Sequence, residues 1–134
     1  MPRYMLLTKH DRTLDVPEMS EWDPADVERH LECLRALNAE LVANGELVEM
    51  NALTGPELAK VVTAGGSGAP VVTDGPFPEA KELLAGYQLI DVESEERALE
   101  IAAAVSGAPG PGGTPLGQHI EVRQVMFTFP MGDA

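Results

Sequence analysis

The residues of this sequence that could do acid–base chemistry gather in the run from Asp74 to Tyr87. A carboxylate such as Asp74, when it is partly removed from water in a cleft, can accept a proton from a bound molecule. An aspartate before Gly75 also has the composition of a tight turn, in which the side chain accepts a hydrogen bond from its own backbone. The residue types leave the catalytic and the turn interpretation of Asp74 equally open.

Charged residues and one tyrosine follow Asp74. Lys81 could neutralise the Asp74 carboxylate or hold an anionic ligand, and Glu82 stands beside it. A run of charged residues is also typical of a solvated surface. Tyr87 shares one face of its predicted strand with Leu89, where its hydroxyl could orient a ligand. It could equally be a sheet residue with one satisfied hydrogen bond.

Alternating polar and apolar residues mark the last predicted strand. His119, Glu121 and Arg123 share one face of it, and Ile120 and Val122 share the other. Glu121 and Arg123 could therefore belong to an ionic row that lines a cleft. The same pattern is common on the solvent-facing side of an edge strand.

Three histidines and one cysteine are spread over the chain. His30 lies in the first predicted helix near the polar margin of its apolar stripe, where it either faces a cleft or is exposed. His10, His30 and His119 show no His-x-x-x-His spacing, and Cys33 has no second cysteine. The glycine-rich loop 65–68 lacks the lysine and the following helix of a phosphate loop. The sequence therefore predicts neither a metal site nor a cofactor.

Length and charge narrow the class of protein. The chain has 134 residues, the size of one domain. Nine lysines and arginines against 22 aspartates and glutamates give a formal net charge of −13, which argues against binding to nucleic acid or to an anionic membrane surface. No signal peptide and no apolar run of membrane-spanning length is visible. With a single cysteine, we expect a cytoplasmic protein.

Two helices are predicted from their start signals and apolar spacing. Asp23 followed by Pro24 is typical of a helix start, and Asn44–Gly45 of a helix end. Ser94 is expected to cap the second helix, whose first turn carries two favourable glutamates. The apolar face of the first helix comprises Val27, Leu31, Leu34, Leu37 and Leu41, and that of the second comprises Ala98, Ile101, Ala102 and Val105.

Six short apolar or alternating segments predict strands, at 4–8, 46–50, 58–63, 69–73, 86–92 and 119–125. The order β-α-β-(ββ)-β-α-β predicts an α+β, ferredoxin-like (split βαβ) antiparallel sheet with both helices on one face. Residues 1–125 would form a single domain. The apolar tail 126–134, with Phe127 and Phe129, could cross to a second subunit and cover the other face of the sheet.

Several segments match one known family in residue type and in order along the chain. They are Val71–Phe77, Glu79, Lys81, Glu82 and Gly86–Ile90, with Tyr4–Leu7 and Ile120–Arg123 towards the two ends. On these residues the chain resembles the YCII-related family, and more narrowly its DGPF-motif branch. Ala85 and Gln124 depart from the glycine and the proline that are common in that family. The resemblance implies a ferredoxin-like subunit that pairs sheet to sheet as a homodimeric α+β barrel.

The resemblance implies less about activity, because the biochemical role of the family is generally unassigned. Its likeness to muconolactone isomerases suggests cofactor-independent, isomerase- or lyase-like acid–base chemistry on a small organic molecule. In that hypothesis Asp74 is the base, and Lys81 and Tyr87 position the substrate. The further residues expected at the cleft are Glu82, Phe77, His30, Glu121 and Arg123.

A second hypothesis of a different class stays open. Some members of the family are encoded near, or fused to, extracytoplasmic-function sigma factors. The chain would then be a non-catalytic binding or regulatory module, linked to transcription regulation through protein contacts, and the Asp74 motif would be structural. The sequence does not separate the two hypotheses.

Overall fold

The computed structural model describes residues 1–11, 13, 16–75 and 80–130. Within these residues the chain forms six strands and two α-helices. In chain order they are β1 (Arg3–Asp11), α1 (Pro24–Ala43), β2 (Leu47–Ala52), β3 (Lys60–Thr63), β4 (Val71–Asp74), β5 (Glu82–Asp91), α2 (Glu95–Ser106) and β6 (Ile120–Gln124). The predicted element order is therefore confirmed.

Four of the strands form an antiparallel sheet with the order β2-β5-β1-β6. This order, with α1 after β1 and α2 after β5, is that of an α+β, ferredoxin-like fold. Strands β3 and β4 pair with each other as a separate antiparallel hairpin, inserted between β2 and β5. The fold class and the hairpin predicted from the sequence are both confirmed.

Local capping defines the ends of both helices. The Asp23 side chain accepts a hydrogen bond from the Ala25 N–H at 3.0 Å, and Pro24 occupies the first turn of α1. Asn44 caps the C-terminal end of α1, and Gly45 follows with a φ of +74° that favours glycine. The Ser94 hydroxyl accepts from the Arg97 N–H at 3.2 Å and starts α2. These were the predicted start and end signals.

The hydrophobic core lies between one face of the sheet and the two helices. Leu6 and Ile90 from the sheet are fully buried against Leu41 of α1 and Ile101 of α2. All four residues predicted for the apolar face of α2 are buried. Truncating a buried leucine or isoleucine of this core to alanine costs about 2–5 kcal/mol of the free energy of unfolding.

The opposite sheet face, which we call the open face, carries Met5, Leu7 and Leu89, all half-buried. Among the described residues, no helix is both long and apolar enough to cross a membrane.

The glycine- and proline-rich segment 107–118 between α2 and β6 has a defined path along the start of α1. The Gly110 N–H donates to Thr114 O at 2.7 Å, and the Leu116 N–H donates to Ala108 O at 2.8 Å. The Gly112 N–H reaches Asp26 Oδ2 of α1 at 3.2 Å. We call this segment the covering loop, because it lies over the first turns of α1.

A charged pair joins helix α2 to the segment before β2. The Arg97 guanidinium donates to both carboxylate oxygens of Glu46, at 2.8 Å and 2.9 Å. These hydrogen bonds hold the pKa of Glu46 below its usual value. A bidentate arginine–carboxylate contact of this kind is stronger than a neutral hydrogen bond.

We expect Glu46→Gln to lower the free energy of unfolding by about 1–2 kcal/mol at neutral pH, because the pair loses its charge-assisted hydrogen bonds. The pair's contribution is complete above the ordinary glutamate pKa of about 4.3, and is lost as the pH falls through the lowered pKa of Glu46. The difference in the free energy of unfolding between parent and variant should therefore become smaller in acid. Urea unfolding at several pH values measures it, with the exposed Glu93→Gln as control. A difference independent of pH would contradict this account.

Strands β2 and β5 approach closely at Gly86. A Cβ atom placed on Gly86 would lie 2.8 Å from the backbone oxygen of Asn51. We therefore expect Gly86→Ala to force the two strands apart and to cost about 1–3 kcal/mol of stability. Gly68→Ala is a matched control, because its Cβ would meet Gly65 O at an ordinary 3.6 Å. Equal unfolding midpoints for the two variants would show that the strands tolerate the extra methyl group.

Candidate functional site

A cavity of about 140 Å³ lies where the end of β1 meets the start of α1 and the covering loop. We call it the His30 pocket. Its walls include His10, Asp11, Trp22, His30, Leu116 and Gln118, together with the segment 16–19. The walls thus combine an indole ring, two imidazoles, two carboxylates and apolar side chains.

His30 is the most buried titratable group of this pocket, with 4% of the residue exposed. Its Nδ1 lies 3.0 Å from the carbonyl oxygen of Pro109 in the covering loop. Because a carbonyl oxygen can only accept a hydrogen bond, this contact places the proton on Nδ1. In the neutral imidazole Nε2 then carries the lone pair, and among the described residues no hydrogen bond occupies it.

The Trp22 ring packs against the imidazole of His30. The two rings meet edge to face, with centroids 5.5 Å apart and an interplanar angle of 89°. The Trp22 indole N–H donates to Pro17 O at 2.8 Å, which fixes the ring against the segment before α1. Trp22 is the only tryptophan and directly precedes the helix cap Asp23. The exposed position considered for His30 is therefore wrong, since Trp22 and Pro109 enclose it.

A second, more open depression of about 220 Å³ adjoins the His30 pocket. The two share His10, Glu18, Met19 and Gln118. The second depression runs on to the start of β5 at Leu83 and to the segment 53–57 after β2. Together they form one groove along this end of the sheet.

Asp74, Lys81 and Tyr87 occupy different surroundings. Asp74 ends β4 opposite Lys60, and the two side chains form an ion pair in which the Asp74 carboxylate is 85% exposed. Tyr87 lies on the open face, where its hydroxyl donates to Glu49 Oε2 at 2.9 Å and accepts from Asn51 Nδ2 at 2.9 Å. Lys81 is exposed. No hydrogen bond or ion pair within the described chain joins these three residues.

The predicted ionic row of β6 lies on the open face. Ile120 and Val122 pack against the core, as the alternation predicted, and leave Glu121 and Arg123 on the other side. Glu121 contacts Lys9 Nζ at 3.4 Å and Arg123 Nη1 at 3.4 Å. This part of the row consists of paired charges.

Glu82 and His119 extend the row at the end of the sheet. His119 Nδ1 lies 2.7 Å from Glu82 Oε2 and 3.9 Å from Asp11 Oδ2. Two hydrogen bonds from Thr13, first its hydroxyl and then its N–H, lower the pKa of Asp11, and the nearby His119 lowers it further. Phe77, the remaining predicted cleft residue, lies outside the described residues.

Three residues that border the groove were not predicted from the sequence: Trp22, Asp11 and Gln118. Trp22 offered a signal, because a lone tryptophan just before a helix cap is placed to pack on the first turns of that helix. Asp11 and Gln118 offered none. They reach the groove only because β1 ends and β6 begins at the same edge of the sheet.

Variants at Asp74 and Gly75 can distinguish a structural role of this turn from a chemical role of the Asp74 carboxylate. Gly75 has a φ of +72°, and its N–H donates to Ala59 O. We expect Gly75→Ala to cost about 1–2 kcal/mol because an L side chain disfavours this conformation. Asp74→Asn should leave the unfolding midpoint nearly unchanged, since its ion pair is exposed. If Asp74→Asn destabilises the protein as much as Gly75→Ala, the carboxylate itself is structural.

The chain is similar to known proteins over most of its length. A family model described as the YCII-related domain matches residues 2–110, from β1 through α2 to Gly110 of the covering loop. An uncharacterized protein of Rhizobium meliloti (strain 1021) is 33% identical over 105 residues, which cover 78% of this chain and 81% of that protein. The matched span of the family model contains Trp22, His30 and Pro109.

Proposed function

This chain belongs to the YCII-related family, and we propose that it binds a small organic molecule in the His30 pocket and removes a proton from it. His30 is the base of this proposal, and the reaction is an isomerase- or lyase-like one that needs no cofactor. One observation carries it. The Pro109 carbonyl oxygen holds the proton on Nδ1 of His30, a residue that lines the pocket, and the Nε2 lone pair then has no hydrogen bond among the described residues.

The size and walls of the pocket support a small ligand. A cavity of about 150 Å³ is large enough for a benzene-sized molecule, and the His30 pocket measures about 140 Å³. Its continuation past Leu83 leaves room for a substituent. Trp22 supplies an apolar surface, while Gln118 and His10 supply polar groups that can orient the molecule.

Asp74 stays the base of the sequence-based hypothesis, with Lys81 and Tyr87 as positioning groups. For that role Asp74 would have to leave its exposed pair with Lys60 and enter a drier environment. His30 needs no such rearrangement, because it is already buried and already lines a cavity. We therefore place the base at His30.

We also propose a cytoplasmic homodimer of the DGPF-motif branch, in which the open faces of two sheets meet. The half-buried Met5, Leu7 and Leu89 would form the apolar centre of that contact. Past β6, Phe127 and Phe129 are 57% and 86% exposed, and a second subunit would cover them.

The alternative function is a non-catalytic binding module that acts on a transcription regulator. The observation that favours it is the exposed apolar surface of the β3–β4 hairpin, where Val62, Val71 and Val72 are each more than half exposed. Surfaces of this kind are typical of protein contacts. Capture of a regulator that depends on these valines and survives His30→Gln would favour the alternative.

The test of the proposed base has two parts. Nitrogen-15 NMR of the imidazoles should show that the neutral form of His30 carries its proton on Nδ1. A panel of small ketones in D2O should then include a compound whose α-hydrogen exchanges in the presence of the protein. We expect His30→Gln to slow that exchange by at least about 100-fold, the usual share of a general base.

Glu32→Gln, an exposed change on the same helix, is the matched control. With this variant the α-hydrogen of the ketone should exchange at the parental rate. A proton found on Nε2 of His30, or exchange that survives His30→Gln, would remove His30 from the role of base. Exchange that is lost in Asp74→Asn instead would return the role to Asp74.

A further inference from the structure

Three potential metal ligands meet at one end of the sheet. Asp11 is the last residue of β1, Glu82 is the first residue of β5, and His119 directly precedes β6. Asp11 and Glu82 are direct partners in the β1–β5 pairing. The antiparallel order β5-β1-β6 therefore brings together side chains that are far apart along the chain.

The distances between these groups suit a single ion. One ligand atom from each residue can be chosen so that all three lie within 4.8 Å of one another. His119 Nδ1 is 2.7 Å from Glu82 Oε2 and 3.9 Å from Asp11 Oδ2. Ligand atoms about 2.0–2.2 Å from a zinc ion lie roughly 3–3.5 Å apart in a tetrahedral or octahedral shell. The ligand atoms that are farthest apart would have to move closer together to enter such a shell.

Thr13 orients one of the carboxylates. Its hydroxyl and its N–H both donate to Asp11 Oδ1, at 2.6 Å and 2.7 Å, while Oδ2 lies on the side of His119. Only 8% of the Asp11 side chain is exposed. Hydrogen bonds of this kind, from a neighbour to the far oxygen of a ligating carboxylate, orient ligands in metal sites.

We propose that Asp11, Glu82 and His119 bind a zinc ion on the open face of the sheet. The ion would take the place of the proton on His119 Nδ1, and the neutral imidazole would then carry its one proton on Nε2. Two carboxylates and a neutral imidazole place a net charge of −2 around a doubly charged ion, within a chain of net charge −13. The ion would link the ends of three strands, and water would complete its coordination.

This site is separate from the acid–base proposal, although Asp11 also borders the His30 pocket. The prediction of no metal site relied on linear spacing, and these ligands have none. The competing explanation is a protonated His119 that simply pairs with both carboxylates. In that case Zn²⁺ would not displace the proton from His119.

The test uses the full chain after removal of metals with a chelator. Isothermal titration with Zn²⁺ should show one tight site per chain, and Zn²⁺ should raise the unfolding midpoint because it binds the folded state. Co²⁺, added as a spectroscopic probe, should give d–d absorption bands. We expect Glu82→Gln, which preserves side-chain size, and His119→Ala each to weaken Zn²⁺ binding at least 10-fold.

Glu121→Gln is the matched control, since Glu121 lies two residues from His119 on the same face and pairs with Lys9. It should bind Zn²⁺ like the parent. Thr13→Val should weaken binding about 10-fold, the usual effect of losing a group that orients a ligand. Circular dichroism of each metal-free variant checks that the sheet is retained.

Two outcomes would overturn the proposal. One is Zn²⁺ binding of equal strength in the parent and in Glu82→Gln, which would place the ion elsewhere. The other is the absence of a midpoint shift at 1 mM Zn²⁺ in the parent, which would leave His119 as a proton-bearing partner of the two carboxylates.

Discussion

Burial of one face of the sheet organises the rest of the molecule. Leu6 and Ile90 can leave water only if Leu41 and Ile101 of the two helices cover them. Both crossovers therefore return on the same side. The ends of β1 and β6 then meet the start of α1 at one edge of the sheet, and the groove forms at that edge.

The covering loop turns this edge into a pocket. Without Pro109 over the first turns of α1, the His30 imidazole would lie beside a helix start that is open to water. The loop keeps its path through its own backbone hydrogen bonds and through the contact of Gly112 with Asp26. The proton position on His30 is thus set by a segment whose composition indicates only an irregular connection.

The two sides of the sheet differ in their chemistry. The helix side offers a buried imidazole beside an aromatic ring. The open face offers rows of paired charges around half-buried apolar residues. Asp11 stands at the boundary, because it ends the central strand β1 and borders both regions.

Interactions between neighbours within a few residues account for the features that could be predicted from the sequence. The caps at Asp23 and Ser94, the buried face of α2 and the alternation of β6 all follow from local hydrogen bonds and apolar spacing, and the order of elements then limited the topology. The sites, in contrast, depend on contacts between segments that lie far apart along the chain. His30 meets Pro109 across 79 residues, and Glu82 meets His119 across 37. Such contacts arise when the sheet closes, so no local pattern in the chain records them.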